Sequence, residues 1–288
     1  MSKPFLLKRR AIITCLVIII ISFGIGYWQS LESKDLRVWF ADVGQGDGII
    51  IRTPNQFNII IDGGPNVDFI KTVDKKLPLT DQSIDLLVIS HPDADHITGL
   101  VGLLKVNRVK QVLMTDAIST SNTFKSLSNL ITENHIPVIK AEAGQEFIFG
   151  EVKAKVLWPP KNYQFDPKDL NQSSIVLEIS YGKQDFLFTG DAPEDVELSL
   201  INNKVLNPVE VLKVSHHGSK SATSENLLKI SKPQYAILSV GLNNKYGHPA
   251  PSIVNRLHTL GIQMFRTDYQ GEILFKSSKD NLIIKAQN

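Results

Sequence analysis

Hydrophobic and polar positions change rhythm several times along this chain, and each change marks a predicted element. Residues 11–28 are apolar almost throughout, with no charged side chain between Arg10 and Glu32. A polar linker, residues 32–35, leads into the alternating Leu36-Arg37-Val38-Trp39-Phe40, a predicted strand. Gly44-Gln45-Gly46-Asp47-Gly48 then turns the chain into an apolar run at 49–52, and Pro54-Asn55-Gln56 turns it into another at 58–61. Three short runs joined by tight turns predict an antiparallel meander. Helical and strand patterns alternate after that, with helices over 67–76, 97–106 and 122–135 and strands over 86–90 and 111–115. Residues 138–140, 146–149 and 152–158 predict a second meander. The later half has strands over 174–181, 185–189, 211–215 and 235–239, and helices over 193–201, 224–230 and 252–260. No linker divides residues 36–288. The pattern predicts an α/β fold in which helices cover the outer faces of two sheets, an αββα four-layer sandwich.

The N-terminal run stands apart. Residues 11–28, at about 1.5 Å each, make roughly 27 Å of helix, close to the hydrocarbon thickness of a bilayer. Lys3, Lys8, Arg9 and Arg10 precede it, which holds that end in the cytoplasm and sends the remainder across. A cleaved signal peptide competes with an uncleaved anchor, but Phe23-Gly24-Ile25-Gly26-Tyr27 offers no Ala-x-Ala site. The expected organisation is a cytoplasmic basic tail at 1–10, a transmembrane signal anchor at 11–28 in the lipid bilayer, and an extracytoplasmic domain at 36–288. That is a single-pass protein of the bacterial cell membrane. The one cysteine, Cys15, lies inside the apolar run, so the domain beyond has no disulfide. Four of the 31 Lys and Arg residues precede residue 11 and none of the 29 Asp and Glu does, so the net charge of +2 becomes −2 beyond the anchor. Such a domain lacks the bulk basic character of a nucleic-acid-coating protein. Binding a nucleic acid would need a local patch or bound cations.

Candidate chemistry concentrates where apolar strands end. His91-Pro92-Asp93-Ala94-Asp95-His96 follows the run at 86–89 directly, at the carboxyl end of a predicted buried strand. Two imidazoles and two carboxylates packed so tightly make sense around a cation, zinc or a harder ion such as manganese. The blander reading is a polar turn in which Asp95 caps the next helix. Gly190-Asp191-Ala192, Ser215-His216-His217-Gly218-Ser219 and Asn243-Asn244-Lys245-Tyr246-Gly247-His248-Pro249 repeat the same grammar after later strands. Each is weak alone, since Gly-Asp-Ala is a common turn and a His pair can be surface; the recurrence carries the weight.

This set resembles the metallo-β-lactamase-fold hydrolases, with their His-x-His-x-Asp-His signature, a downstream Gly-Asp and a further His. Asp42-Val43-Gly44-Gln45-Gly46-Asp47, Asp62-Gly63-Gly64, the aspartate at 93, Ser215–Ser219 and Phe265-Arg266-Thr267-Asp268-Tyr269-Gln270-Gly271 are similar to one branch, the C-terminal domain of the ComEC-type DNA-uptake channel and its free-standing relatives. The resemblance implies two divalent metal ions per chain and hydrolysis by a metal-activated water. His91 and Asp93 would bind one ion, Asp95 and His96 the other; Asp191 would bridge them, and His216 or His217 would complete a site. Asp62 would orient a ligand from beneath, with Asp42, Gln45 and Asp47 as further supports. Asp95 and His248 are the catalytic candidates, His248 as general acid or phosphate-orienting group. Ser219, Lys220, Asn243 and Asn244 would contact substrate oxygens. Asp93 stands where many members have His, and Asn171-Gln172-Ser173-Ser174 where many have another; both changes favour a harder ion and leave zinc against manganese open.

The leading expectation is a membrane-anchored phosphodiesterase acting on DNA outside the cytoplasm, its substrate single-stranded DNA. The alternatives are an envelope phosphodiesterase, acting on teichoic acid or phospholipid head groups, and a non-catalytic subunit of a DNA-uptake or envelope assembly.

Overall fold

The computed structural model describes residues 10, 12–24, 35–79 and 81–288. Helix α1 (residues 12–24) covers the described part of the apolar run. Among the described residues no helix is long and apolar enough to cross a membrane. Both ends of the expected anchor, residue 11 and residues 25–28, lie outside the described residues, as does the tail at 1–9.

The domain begins with β1 (Leu36–Phe40), β2 (Ile49–Arg52) and β3 (Asn58–Ile61), followed by α2 (Phe69–Lys76), β4 (Leu86–Val88), α3 (Ala94–Val106), β5 (Val112–Met114), α4 (Asn122–Glu133) and β6 (Val138–Lys140). The second half comprises β7 (Glu146–Phe149), β8 (Val152–Trp158), β9 (Val176–Tyr181), β10 (Gln184–Phe188), α5 (Glu194–Asn202), β11 (Val211–Lys213), α6 (Glu225–Ser231), β12 (Tyr235–Leu238), α7 (Pro251–Thr259) and β13 (Gln263–Arg266). A short α8 (Thr267–Gln270) leads to β14 (Ile273–Ser277) and β15 (Leu282–Ala286). An eight-stranded sheet runs in the order β15-β14-β1-β2-β3-β4-β5-β6 and a seven-stranded one β13-β12-β11-β10-β9-β8-β7.

Both faces of each sheet are covered, which is why central strands are apolar at consecutive positions. Ile49 and Ile51 point between the sheets and meet Phe186, Phe188 and Val211, whereas Ile50 points outward to Val73 and Leu100 on α2 and α3. The second sheet divides the same way: Leu187, Leu212 and Leu238 face Val196, Leu227 and Leu257 on α5, α6 and α7. The four-layer αββα arrangement predicted from the pattern is the one observed.

Three details differ from the sequence expectation. The second meander is split, because β6 extends β4 and β5 in parallel (Leu113 opposite Ile139) while β7 and β8 pair in the other sheet. The last strands, unassigned in the pattern, complete the first sheet, with Leu36 opposite Ser277. Helix α3 starts at Ala94, so Asp93 rather than Asp95 holds the N-cap position, and its side chain makes no capping hydrogen bond. Both carboxylates are left free for other partners.

α3 is held against the loop after β3 by backbone contact. Gly63 N–H donates to His96 O at 2.7 Å and Gly99 N–H to Gly64 O at 3.0 Å. A Cβ on Gly99 would lie 2.0 Å from Gly63 O and 2.7 Å from Asn66 O, both rigid backbone atoms. Gly99→Ala should therefore destabilise the domain by about 3 kcal/mol, read from urea unfolding followed by circular dichroism. A change below about 0.5 kcal/mol would show that α3 can withdraw at no cost.

Candidate metal centre

Strands β3, β4, β10, β11 and β12 run parallel within their sheets and end along one edge of the sandwich. The segments beyond them carry Asp62, His91, Asp191, His216, His217 and the loop to His248. One backbone bond closes this edge across the two sheets, Ile175 N–H donating to Ser90 O at 2.9 Å, and within the second sheet Asp191 N–H donates to Ser174 Oγ at 3.0 Å.

Asp191 is at the middle. Its Oδ1 lies 3.4 Å from His96 Nε2, and its Oδ2 lies 3.4 Å from His217 Nε2, 3.8 Å from His216 Nε2 and 4.0 Å from His91 Nε2. Asp93 approaches His91 Nε2 at 3.6 Å and Asp95 approaches His217 Nε2 at 3.5 Å. Ligand atoms of Asp95, His96, Asp191 and His217 all fall within 4.8 Å of one another. The structure thus brings together His91, Asp93, Asp95, His96, Asp191, His216 and His217.

Behind them lies a layer that aims the imidazoles. Asp62 Oδ2 meets His96 Nδ1 at 2.8 Å and also accepts the Ser90 hydroxyl at 2.6 Å; Ser90 Oγ in turn lies 3.0 Å from His91 Nδ1. His217 Nδ1 lies 2.8 Å from Ser239 O. Each Nδ1 is engaged, which turns Nε2 toward Asp191. Asp47, Asp62 and His96 form a second group of close ligand atoms. That group supports the imidazole rather than making another site, since its His96 nitrogen already bonds Asp62.

Lys213 is the residue that sequence reasoning missed. It is fully buried on β11, with Nζ 2.6 Å from Asp47 Oδ2 and 3.9 Å from Asp191 Oδ1. A lysine inside the apolar Val211-Leu212-Lys213-Val214 was the available signal, because lysine is almost never buried without a partner. Ser90 gave no such signal.

The adjacent histidines diverge because both have left-handed backbone, φ 50° at His216 and φ 53° at His217. His217 is buried, while the His216 side chain keeps 27% exposure. The loop that imposes this geometry is anchored by Glu197 of α5, whose carboxylate accepts the N–H groups of Thr223 and Ser224. Gly46 permits an equally close approach: at φ +140°, its Cβ position would lie 2.1 Å from Asp95 O.

Burial opposes charge on every one of these groups, yet mutual pairing overrides it at the centre. Burial would raise the Asp191 carboxyl, but His217 and His96 hold it well below the usual range. Burial likewise opposes ionisation of Asp95, which His217 and His96 nonetheless keep low. Conversely, burial would lower His217 and His96, but Asp191, with Asp95 and Asp62, raises both, His217 to about 9. At the rim burial prevails: His216 and His248 are lowered, His248 further by His216 and His217.

The expected substrate-side residues are placed differently. Asn244 spends its amide inside its own loop, donating to Gly241 O and His248 O and accepting from Tyr246 N–H and His248 N–H. Ser219 is buried against Ser221, so its hydroxyl is engaged in the loop. Lys220 and Asn243 are exposed. Asp42 is exposed and accepts from Gly44 N–H, shaping a turn rather than touching the cluster. Gln45 accepts from Gly241 N–H and lines the cleft with Asp93, Asp95, Asp191, His216, His217, Tyr246 and His248.

A divalent cation fits these residues. Buried Nε2 atoms of His91, His96 and His217 and Oδ1 of Asp191 have no hydrogen-bond partner among the described residues, although they converge on one region. Carboxylates of Asp47, Asp62, Asp93, Asp95 and Asp191 crowd there, with Lys213 the fixed cation in contact with them among the described residues. Buried charge of that excess calls for paired or coordinating cations.

A family model of the metallo-beta-lactamase superfamily matches residues 41–163. ComE operon protein 3 of Bacillus subtilis (strain 168) is 29% identical over 261 residues, an alignment covering 85% of this chain and 33% of that protein. Recombination protein 2 of Haemophilus influenzae is 27% identical over 291 aligned positions, covering 99% of this chain and 34% of that protein. The chain thus spans about a third of the length of these curated relatives. Among solved structures, the metallo-beta-lactamase fold protein YhfI from Bacillus subtilis superposes with a TM-score of 0.58 at 11% identity, covering 84% of this chain and 100% of that one. At that identity the likeness is one of fold. The architecture and the His–Asp cluster resemble those of metallo-β-lactamase-fold proteins. Within that class, the chain is a relative of the ComEC-type competence proteins.

Protons and a cation compete for the same nitrogens. With His217 raised to about 9, a proton must leave it throughout the neutral range before Nε2 can donate, so metal affinity should rise with pH and fall in acid. Calorimetric titration of zinc or manganese into chelator-treated protein should show tighter binding at pH 8 than at pH 6, with proton release. Affinity independent of pH would place the cation elsewhere. Lys213→Met should cost about 3 kcal/mol in urea unfolding, and adding Asp47→Asn should recover most of it, because the orphaned carboxylate is then removed. A single-variant cost under about 1 kcal/mol would show that the pair is hydrated.

Proposed function

We propose that this protein is a metal-dependent phosphodiesterase acting on DNA outside the cytoplasm, held to the membrane by residues 11–28. The observation that carries the reading is the convergence of unpartnered Nε2 atoms of His91, His96 and His217 on the buried carboxylate of Asp191, in a chain similar to competence proteins. The orientation rests on the cations before residue 11 and the uncharged run that follows.

Two divalent cations, zinc or manganese, would supply Lewis acidity and water activation at this cluster. His91 and Asp93 would hold one, Asp95, His96 and His217 the other, with Asp191 between them. His217 takes the ligand role over His216, because its Nε2 is buried and faces both Asp95 and Asp191. Asp62 and Ser90 fix the ring orientations of His96 and His91. His216 is left at the cleft rim beside His248, their rings 5.7 Å apart. His248 is held proton-poor by burial and by the neighbouring imidazoles of His216 and His217, which suits it to orient a phosphate oxygen through its N–H rather than to deliver a proton.

The full chain, solubilised in detergent and supplied with zinc or manganese, should cleave single-stranded DNA. Asp191→Ala should lower kcat/KM by at least about 1000-fold, with less metal bound per chain by elemental analysis. Metal-replete protein inert on single- and double-stranded DNA and on bis(p-nitrophenyl) phosphate would overturn the reading.

A further inference from the structure

Tyr246 is exposed (57%) on the loop after β12, which the Asn244 amide ties together through Gly241 O, Tyr246 N–H and the His248 backbone. Its ring stacks on the His248 imidazole at 5.7 Å with 24° between the planes, and Lys245 Nζ lies 5.1 Å from its centroid. The ring stands between two cavities. On one side is the cleft of the His–Asp cluster, about 160 Å³. On the other is a cavity of about 320 Å³ with Pro65 and Ala94 in its wall, the Thr98 side chain at its side and Lys245 at its mouth. Gln45, Asp95 and Tyr246 belong to both, so the cavities are contiguous.

The sizes and linings differ in a way that assigns them. The smaller cleft is polar and takes a phosphodiester group. The larger one is mostly apolar, offers an aromatic face, and has at its mouth a lysine with no carboxylate partner among the described residues. A flat ring with an apolar face suits it, with Lys245 left to meet the adjoining phosphate. We infer that this second cavity is a nucleobase subsite, in which the base next to the cleaved phosphate stacks on Tyr246. The inference rests on the phosphodiesterase reading and specifies its substrate: a strand carrying bases, in preference to a base-free phosphodiester polymer. Stacking of this kind tolerates every base, which fits a site where the Thr98 hydroxyl is spent on Ala94 O and the Asn244 amide on its own loop.

The test compares a fluorescent ten-nucleotide thymidine strand with a strand of equal length built of abasic tetrahydrofuran units, using the full chain. Binding is read by anisotropy in chelator, where neither strand is cut, and kcat and KM are read with metal. The thymidine strand should bind about tenfold more tightly, within the range that base–aromatic stacking supplies. Tyr246→Ala should abolish that difference by raising KM for the thymidine strand alone, while Tyr246→Phe keeps it; unchanged metal content verifies that the centre is intact. If wild-type protein cuts both strands and Tyr246→Ala shifts neither or both equally, the stacking subsite falls and the nuclease reading stands. If wild-type protein neither binds nor cuts either strand, both fall together.

Discussion

A carboxylate buried at the seam of two sheets has to be answered by positive charge, and Asp191 is answered from every side. His96, His217 and Lys213 supply that charge, and the rings of His216 and His91 stand beside them. These groups come from α3, the turn beyond β4, the turn beyond β11 and β11 itself, so neither half of the molecule can satisfy the charge alone. The low dielectric that makes the arrangement costly also makes it selective: an unpaired member would be expensive, and the rings of His91, His96 and His217 are each fixed through Nδ1. The same crowding makes the site a candidate to hold a cation.

Holding those groups in place requires backbone in uncommon conformations. His216 and His217 are both left-handed, as is Asp62, each at a cost of order 1 kcal/mol for a non-glycine residue. The surroundings over-determine them. Glu197 clamps the turn from α5, Ser90 ties Asp62 to the end of β4, and the glycines at 46 and 99 let backbone approach backbone where a methyl group would collide. Strain and close approach therefore gather around the cluster and are compensated by an ordinary, fully covered apolar core.

Much of this was legible along the chain. Consecutive apolar residues such as Ile49-Ile50-Ile51 reveal a sheet covered on both faces, and strand ends followed by His or Asp reveal one common edge. What was not legible depends on backbone conformation and on which partner each polar group finds. That His217 turns inward and His216 toward the rim follows from two left-handed φ angles that no side-chain pattern encodes. Asn244 reads as a substrate contact because amides are common in such sites, yet its hydrogen-bonding capacity is used within four residues of itself. Lys213 was visible as an anomaly, but its meaning needed Asp47, which lies in a turn on the other sheet. The β6 strand was misgrouped because short apolar runs say nothing about which neighbour they pair with.

The pairing of β1 with β14 carries a consequence for the order in which a nascent chain acquires its parts. The first strand of the domain is flanked on one side by β2, its near neighbour, and on the other by β14, which is made long after it. The His91–His96 cluster thus leaves the ribosome well before Asp191, and Asp191 well before the strand that closes the sheet edge. A partly made chain presents imidazoles and carboxylates without the buried carboxylate that gathers them. The centre has all its side chains only once His217 has followed Asp191, while the sheet edge beside β1 still waits for β14.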